Sequence, residues 1–208
     1  MSNENDKIKN RYNRISKFYD LLEIPMESIS MSKWREELIK QLEGGKILEV
    51  GVGTGKNLIY YPRDLDITGI DFSKNMLQKA RDKIKDRKNI KLIEMDAEDM
   101  KFADNTFDTV VTSCVFCSVP NPIEGLKEIR RVCKKNGKII MLEHMRSSNK
   151  VAGKFMDVFN FIPLNIWGAN INRKTLENLK KAGFNKVNIE YQDVWSDIVK
   201  LIEIRNKK

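Results

Sequence analysis

Histidine and cysteine are scarce in this chain, and their scarcity rules out several chemistries at once. One histidine, His144, and three cysteines, Cys114, Cys117 and Cys133, form no cluster with metal-ligand spacing, so no metal site is expected. Three cysteines are too few, and odd in number, for a disulfide-stapled secreted scaffold. They point to a reducing, cytoplasmic setting. Cys114 and Cys117 have C-x-x-C spacing but no second pair, which reads as packing and pocket lining rather than redox chemistry. No apolar run approaches the roughly 20 residues that a spanning helix needs. The opening Met-Ser-Asn-Glu-Asn-Asp-Lys lacks an apolar signal core, so export is not expected. Internal repeats and low-complexity linkers are also missing, which leaves one α/β domain as the economical expectation for 208 residues.

What is present describes an ordinary globular protein, with 41% hydrophobic and 32% charged residues. The formal net charge of +9 is dispersed: +1 over residues 1–46, +4 over 47–150 and +4 over 151–208. Its densest cluster, Lys79, Arg81, Lys83, Lys85, Arg87 and Lys88, is interrupted by Asp82 and Asp86 and reads as a solvated helix face. No nucleic-acid partner is expected, because a binding module and an amine-flipping motif are both absent.

From residue 46 onward, short apolar runs alternate with amphipathic stretches. Strands are predicted at Lys46–Val50, Asp66–Ile70, Ile90–Met95, Phe107–Ser113 and Lys138–Leu142. Ser73 is a natural N-cap for a helix burying Met76, Leu77 and Ala80. Pro122 suits the first position of a helix bearing Ile123, Leu126, Ile129 and Val132, which Asn136-Gly137 is expected to end. A helix over Lys174–Ala182 stops at Gly183, and Val187–Tyr191 and Ile198–Ile204 are candidates for an edge hairpin. The pattern predicts a doubly wound, mostly parallel seven-stranded sheet with an antiparallel C-terminal edge strand. Residues 1–45 are expected to form an N-terminal helical cap on a Rossmann-like core spanning 46–208. Tyr12, Ile15, Phe18, Tyr19 and Leu22 supply that cap's apolar stripe.

The chemistry concentrates in Ile47-Leu48-Glu49-Val50-Gly51-Val52-Gly53-Thr54-Gly55. Glycines after a buried strand allow a tight turn and close approach of backbone to ligand. A dinucleotide fingerprint wants G-x-G-x-x-G, but Lys56 occupies the sixth position and the glycines fall as G-x-G-x-G. Glu49, two residues before Gly51, is out of place beside a pyrophosphate and suits a ligand with a cationic amino end. Both departures favour S-adenosylmethionine. Asp71, at the end of the second strand, is placed to accept two ribose hydroxyls, and Phe72 to lie against adenine. Asp96 and Ala97 follow the third strand, where a carboxylate accepts from the adenine amino group. Ser113 and Cys114 close the fourth strand at the same sheet edge.

These segments resemble the small-molecule class I methyltransferases from about Tyr12 to Gly183. Leu48–Gly55, which includes Thr54, is similar to the superfamily's first motif. Thr68–Leu77, which includes Met76, is similar to its second, and Phe107–Val111 to its fourth-strand motif. Tyr12-Asn13-Arg14-Ile15-Ser16-Lys17-Phe18-Tyr19-Asp20 resembles the entry helix of the ubiquinone/menaquinone C-methyltransferases and bacterial phospholipid N-methyltransferases. That resemblance implies that Tyr19 approaches the cofactor. Val115–Pro122 and Leu142-Glu143-His144-Met145 look closer to the phospholipid and thiol S-methyltransferases.

His144, just past the fifth strand, is either a proton acceptor for the methyl acceptor or a neutral histidine satisfied by backbone. Tyr19 is the second candidate for that role. Phe155–Trp167 carries nine large apolar side chains and one acid, Asp157, and reads either as core packing or as a lid that touches a membrane surface. The expected activity is methyl transfer to a small, apolar acceptor: a phospholipid amine, a thiol or a quinone-like ring. A non-catalytic cofactor-binding protein on the same fold is the competing reading.

Overall fold

A computed structural model describes residues 31–166 and 168–208. Seven strands form one sheet: β1 (Lys46–Val50), β2 (Asp66–Asp71), β3 (Ile90–Glu94), β4 (Phe107–Ser113), β5 (Cys133–His144), β6 (Ile189–Trp195) and β7 (Val199–Arg205). Their spatial order is β3-β2-β1-β4-β5-β7-β6. The first five run parallel, and β7 lies antiparallel between β5 and β6. The antiparallel strand is thus enclosed, and β6 forms the edge of the sheet.

Helices α1 (Ser32–Lys40), α2 (Lys74–Lys83), α3 (Pro122–Val132), α4 (Lys150–Phe159), α5 (Phe161–Ile166) and α6 (Thr175–Lys181) cover the sheet. Strand alternation divides the core between its two faces. Ile47, Val111, Ile140 and Leu201 meet Leu38 of α1 and Leu77 and Ala80 of α2 on one face. Leu48, Val110, Ile139 and Ile202 meet Leu126 and Ile129 of α3 and Leu179 of α6 on the other. The Ser73 hydroxyl caps α2 by accepting from the Met76 N–H at 3.3 Å.

Several expected boundaries move: β6 runs over Ile189–Trp195 instead of Val187–Tyr191, β5 begins at Cys133 instead of Lys138, and the end of α3 shifts. Helix α3 stops at Val132, and Asn136-Gly137 lies inside β5 instead of ending the helix. The register slips there, with Phe107 opposite Cys133 but Thr109 opposite Lys138. Asn136 bends the bulge at φ 60°, and a Cβ on Gly137 would sit 2.8 Å from the Asp108 carbonyl. The stop comes from far away in sequence: the Asn206 amide donates to the carbonyls of Arg130 and Cys133 at 2.9 Å and of Lys134 at 3.2 Å.

The described part of the Phe155–Trp167 segment, up to Ile166, stands mostly exposed. The helix breaks at Asn160, and Pro163 sits in the first turn of α5, where its missing N–H costs no hydrogen bond. Within α4 only Gly153 and Met156 are buried, and within α5 no side chain is. Met156 apart, the segment's described side chains stand outside the buried core, and none of them lines the pocket described next.

Candidate active site

The carboxyl ends of β1, β2, β3 and β4 open into one pocket, where doubly wound sheets bind ligands. The structure brings Glu49, Gly51, Gly53, Thr54, Asp71, Phe72, Met76, Asp96, Ala97, Ser113 and Cys114 together around it. Gly55 is not on its wall. At φ +80°, a Cβ there would meet Ala80 at 2.9 Å, so this glycine serves helix packing instead. Gly51 (φ +72°) is crowded by Val115, whose methyl a Cβ would meet at 2.5 Å. Gly53 (φ +54°) faces open space, which leaves a bare backbone cradle at the pocket.

Asp71 locks that loop. Its Oδ2 accepts from the Gly53 N–H and its Oδ1 from the Ser73 N–H, both at 2.9 Å. Burial pushes the carboxyl up to about 6 against the opposing pull of those two N–H groups. Asp96 uses Oδ1 to accept from the Glu98 N–H at 2.9 Å. The Thr54 hydroxyl accepts from the Lys83 ammonium at 3.1 Å.

Glu49 lies on the pocket floor, on the face shared with α1. Its Oε1 accepts from the Asn57 amide at 2.8 Å, and the Asn57 carbonyl accepts from Arg35. Arg35 also donates to the Ser113 hydroxyl at 3.4 Å. The other oxygen, Oε2, is buried without a hydrogen-bond partner among the described residues. The Tyr61 phenol lies close enough to favour the carboxylate, yet outside hydrogen-bond geometry with it. Burial pushes Glu49 up to about 7, opposed by Asn57, Tyr61 and Arg35 and assisted by the Asp71 charge.

These features fit S-adenosylmethionine. A buried carboxylate oxygen without a donor suits an ammonium group, Arg35 supplies a cation on the pocket wall, and the Gly53 cradle admits a ligand against backbone. Phe72, Met76 and Met95 give apolar surface for a flat base, and Val115, Val119 and Pro120 form a further apolar wall.

Sequence reasoning missed four residues. Arg35 shares one helical stripe with Met31 and Leu38, and a cation on an inward stripe was the available signal. Asn57 and Ser118 carried no local signal. Glu143, fully buried in β5, accepts from the Thr112 hydroxyl at 2.8 Å and from the Val115 and Phe116 N–H groups at 3.2 Å. It holds the loop after β4 that walls the pocket, and burial pushes it up to about 7.

Cys114 lines the pocket at φ 55°, while the Cys117 thiol donates to the Cys114 carbonyl at 3.2 Å and burial raises it to about 11. All three cysteines are free thiols. His144 is half-buried opposite Val199 on β7 and is not among the pocket-lining residues. Burial lowers its pKa. Tyr19, with the rest of the Tyr12–Leu22 stripe, lies outside the described residues, as does Trp167. Among the described residues no group of three or more His, Cys, Asp or Glu side chains is arranged to hold a metal ion. No helix among them is long and apolar enough to cross a membrane.

Residues 48–141 match the family described as "Methyltransferase domain". The chain is 30% identical over 189 residues to a demethylmenaquinone methyltransferase of Staphylococcus aureus, covering 86% of this chain and 78% of that protein. It is 44% identical over 104 residues to a phosphatidylethanolamine N-methyltransferase of Cereibacter sphaeroides, covering 49% of this chain and about half, 51%, of that protein. A crystal structure of an S-adenosylmethionine-dependent methyltransferase from Thermotoga maritima superposes with a TM-score of 0.73 at 20% identity, covering 95% of this chain and 99% of that one.

Proposed function

The chain belongs to the S-adenosylmethionine-dependent methyltransferase family, and on that footing we propose that it methylates a small acceptor with an apolar body. The observation that carries the cofactor half is the unpartnered Glu49 oxygen beside the Gly53 cradle. When bound, the sulfonium supplies an electrophilic methyl group. Glu49 receives the amino end of the donor, with Arg35 facing its carboxylate. Asp71 accepts the ribose hydroxyls, since each carboxylate oxygen has a lone pair beyond its backbone bond. Asp96 accepts the adenine amino group, and Ala97, Phe72 and Met76 border the base. Thr54, Ser113 and Cys114 complete the wall, and Gly55 acts indirectly by seating the loop on α2.

Methyl transfer gains most from alignment in a water-poor pocket. The apolar wall of Val115, Val119 and Pro120 supports an acceptor with hydrocarbon or ring character. The relatives named for phosphatidylethanolamine and demethylmenaquinone support an amine or a ring carbon, and a thiol fits the same wall. For an acceptor that must lose a proton, His144, at the end of β5 but outside the pocket lining described above, is the proposed base. Tyr19 is the alternative. Residues 1–45 are proposed to cap the 46–208 core over the pocket, a reading supported by Met31 and Arg35 in the pocket wall.

The test is a methyl-transfer assay with labelled S-adenosylmethionine across phospholipid, thiol and quinol panels, preceded by calorimetry of cofactor binding. Turnover of one panel identifies the acceptor class. Absence of cofactor binding overturns the proposal at its first step.

A further inference from the structure

We propose that the exposed face of α4 and α5 docks on an anionic phospholipid bilayer and holds the pocket close to that surface. Helix α4 is firmly built. Asn149 Oδ1 accepts from the Val151 and Ala152 N–H groups at 2.9 and 3.1 Å, and the Asp197 carboxylate accepts from Ser147 and Ser148 just before it. On its inner side Arg146 crosses so close to Gly153 that a Cβ there would sit 2.4 Å from the guanidinium. The outer side is apolar and, among the described residues, uncovered: Val151 is 81% exposed, Phe155 60%, Val158 57% and, on α5, Phe161 59%. The Phe155 and Phe159 rings already pack on each other, with centroids 4.3 Å apart. A contiguous apolar patch of this kind marks an interaction surface.

Charge selects the occupant. Lys150 and Lys154 stand exposed one turn apart beside this stripe. The only acid on the two helices, Asp157, is neutralised by Arg146 at 2.8 Å and receives a further bond from Asn172 at 3.2 Å. An apolar stripe with an uncompensated cationic border is what interfacial helices present to acidic lipid. Pairing two copies across the face would gather four lysines around one seam with no acid left to meet them.

The face is tied to the pocket. Asn160, between the two helices, accepts from the Ile171 N–H at 2.8 Å, and the Asn170 N–H donates to the Cys117 carbonyl at 2.8 Å. Arg173 donates to the carbonyl of Val119, itself a pocket residue, at 2.7 Å. A bilayer against α4 and α5 therefore bears on the same loop that walls the pocket. The inference goes beyond the acceptor assignment and holds whichever acceptor is used.

The experiment is flotation of the full chain with phosphatidylcholine vesicles, with and without phosphatidylglycerol. The expected result is flotation only with phosphatidylglycerol, weakened by added salt. Phe155→Ser combined with Val158→Ser, or Lys150→Glu combined with Lys154→Glu, is expected to lower retention about tenfold or more. Both variants alter exposed side chains, so an unchanged melting temperature and unchanged S-adenosylmethionine affinity by calorimetry verify the fold. Equal binding to both vesicle types, or undiminished flotation of the Phe155→Ser/Val158→Ser variant, overturns the proposal. So does light scattering that shows a dimer which this variant dissolves, because the face then belongs to a second copy. Loss of cofactor binding in the unaltered protein overturns the methyltransferase reading and leaves the flotation result standing.

Discussion

Asn57 stands between Glu49 and Arg35, donating its amide to the Glu49 carboxylate at 2.8 Å while its carbonyl accepts from the guanidinium. One neutral side chain thus links a buried acid to a buried base across the pocket floor. It leaves the second Glu49 oxygen for a ligand.

Opposite pH trends follow for stability and for binding. Glu49 and Glu143 rise to about 7 and Asp71 to about 6, above their ordinary 4.5, 4.5 and 3.8. Between those limits the folded protein holds more protons than the unfolded chain, so ligand-free stability is greatest at the acid end and falls as pH rises towards 7. A cationic amino group needs ionised Glu49, so cofactor affinity is expected to drop roughly tenfold for each pH step below about 7. Thermal melts and calorimetry over the same buffers check both trends. A flat binding profile removes Glu49 from the amino subsite.

Glu49→Gln separates the two effects. The variant is expected to lose its pH dependence of binding and to bind S-adenosylmethionine about 10–100-fold more weakly. Its ligand-free melting temperature above pH 7 should match or exceed that of the unaltered protein. A matching loss of stability would mark Glu49 as structural only.

Arg35→Met keeps the length and apolar stem of the side chain and removes its donors to Asn57 and Ser113. Cofactor affinity is expected to fall by about tenfold or more, since a charge-assisted hydrogen bond contributes about 1.5–3 kcal/mol. Titration with S-adenosylhomocysteine and with adenosine tests the assignment. The homocysteine-bearing ligand should lose far more than adenosine does.

The two loop glycines should fail differently. Gly51→Ala meets Val115 at 2.5 Å in a left-handed conformation and is expected to cost about 2–4 kcal/mol of stability, partly restored by Val115→Ala. Gly53→Ala has open space and should cost only about 1 kcal/mol, while cofactor binding falls sharply. Denaturant unfolding alongside calorimetry distinguishes them.

Asn206→Ala removes three donor–acceptor pairs at the end of α3 and is expected to cost about 1–3 kcal/mol. Hydrogen exchange should show the last turn of α3 and the β5 bulge opening first.

Where structure depends on neighbours in sequence, it was legible. Phe107–Ser113, rich in β-branched residues, is the strand that its composition predicts, and Ser73 caps the helix that its position predicts. Asn136-Gly137 misled because it has the local chemistry of a helix stop, whereas the true stop is an amide 76 residues from Arg130. Arg35 and Asn57 were unreadable for the same reason, their partnership spanning 22 residues. The Phe155 stripe shows the converse. Helical apolar spacing says that a face exists, and only the assembled sheet shows that nothing in the described chain covers it. Of the glycine motif, Gly53 borders the pocket with open space before it, while Gly55 looks identical in sequence and serves α2.

The Asn206 cap also sets an order of events. Asn206 directly follows β7, so a growing chain supplies it after both α3 and β5. Without that residue the last carbonyls of α3 would have to turn to water for partners. The end of the helix behind the pocket wall therefore depends on a residue that the chain supplies only after β7.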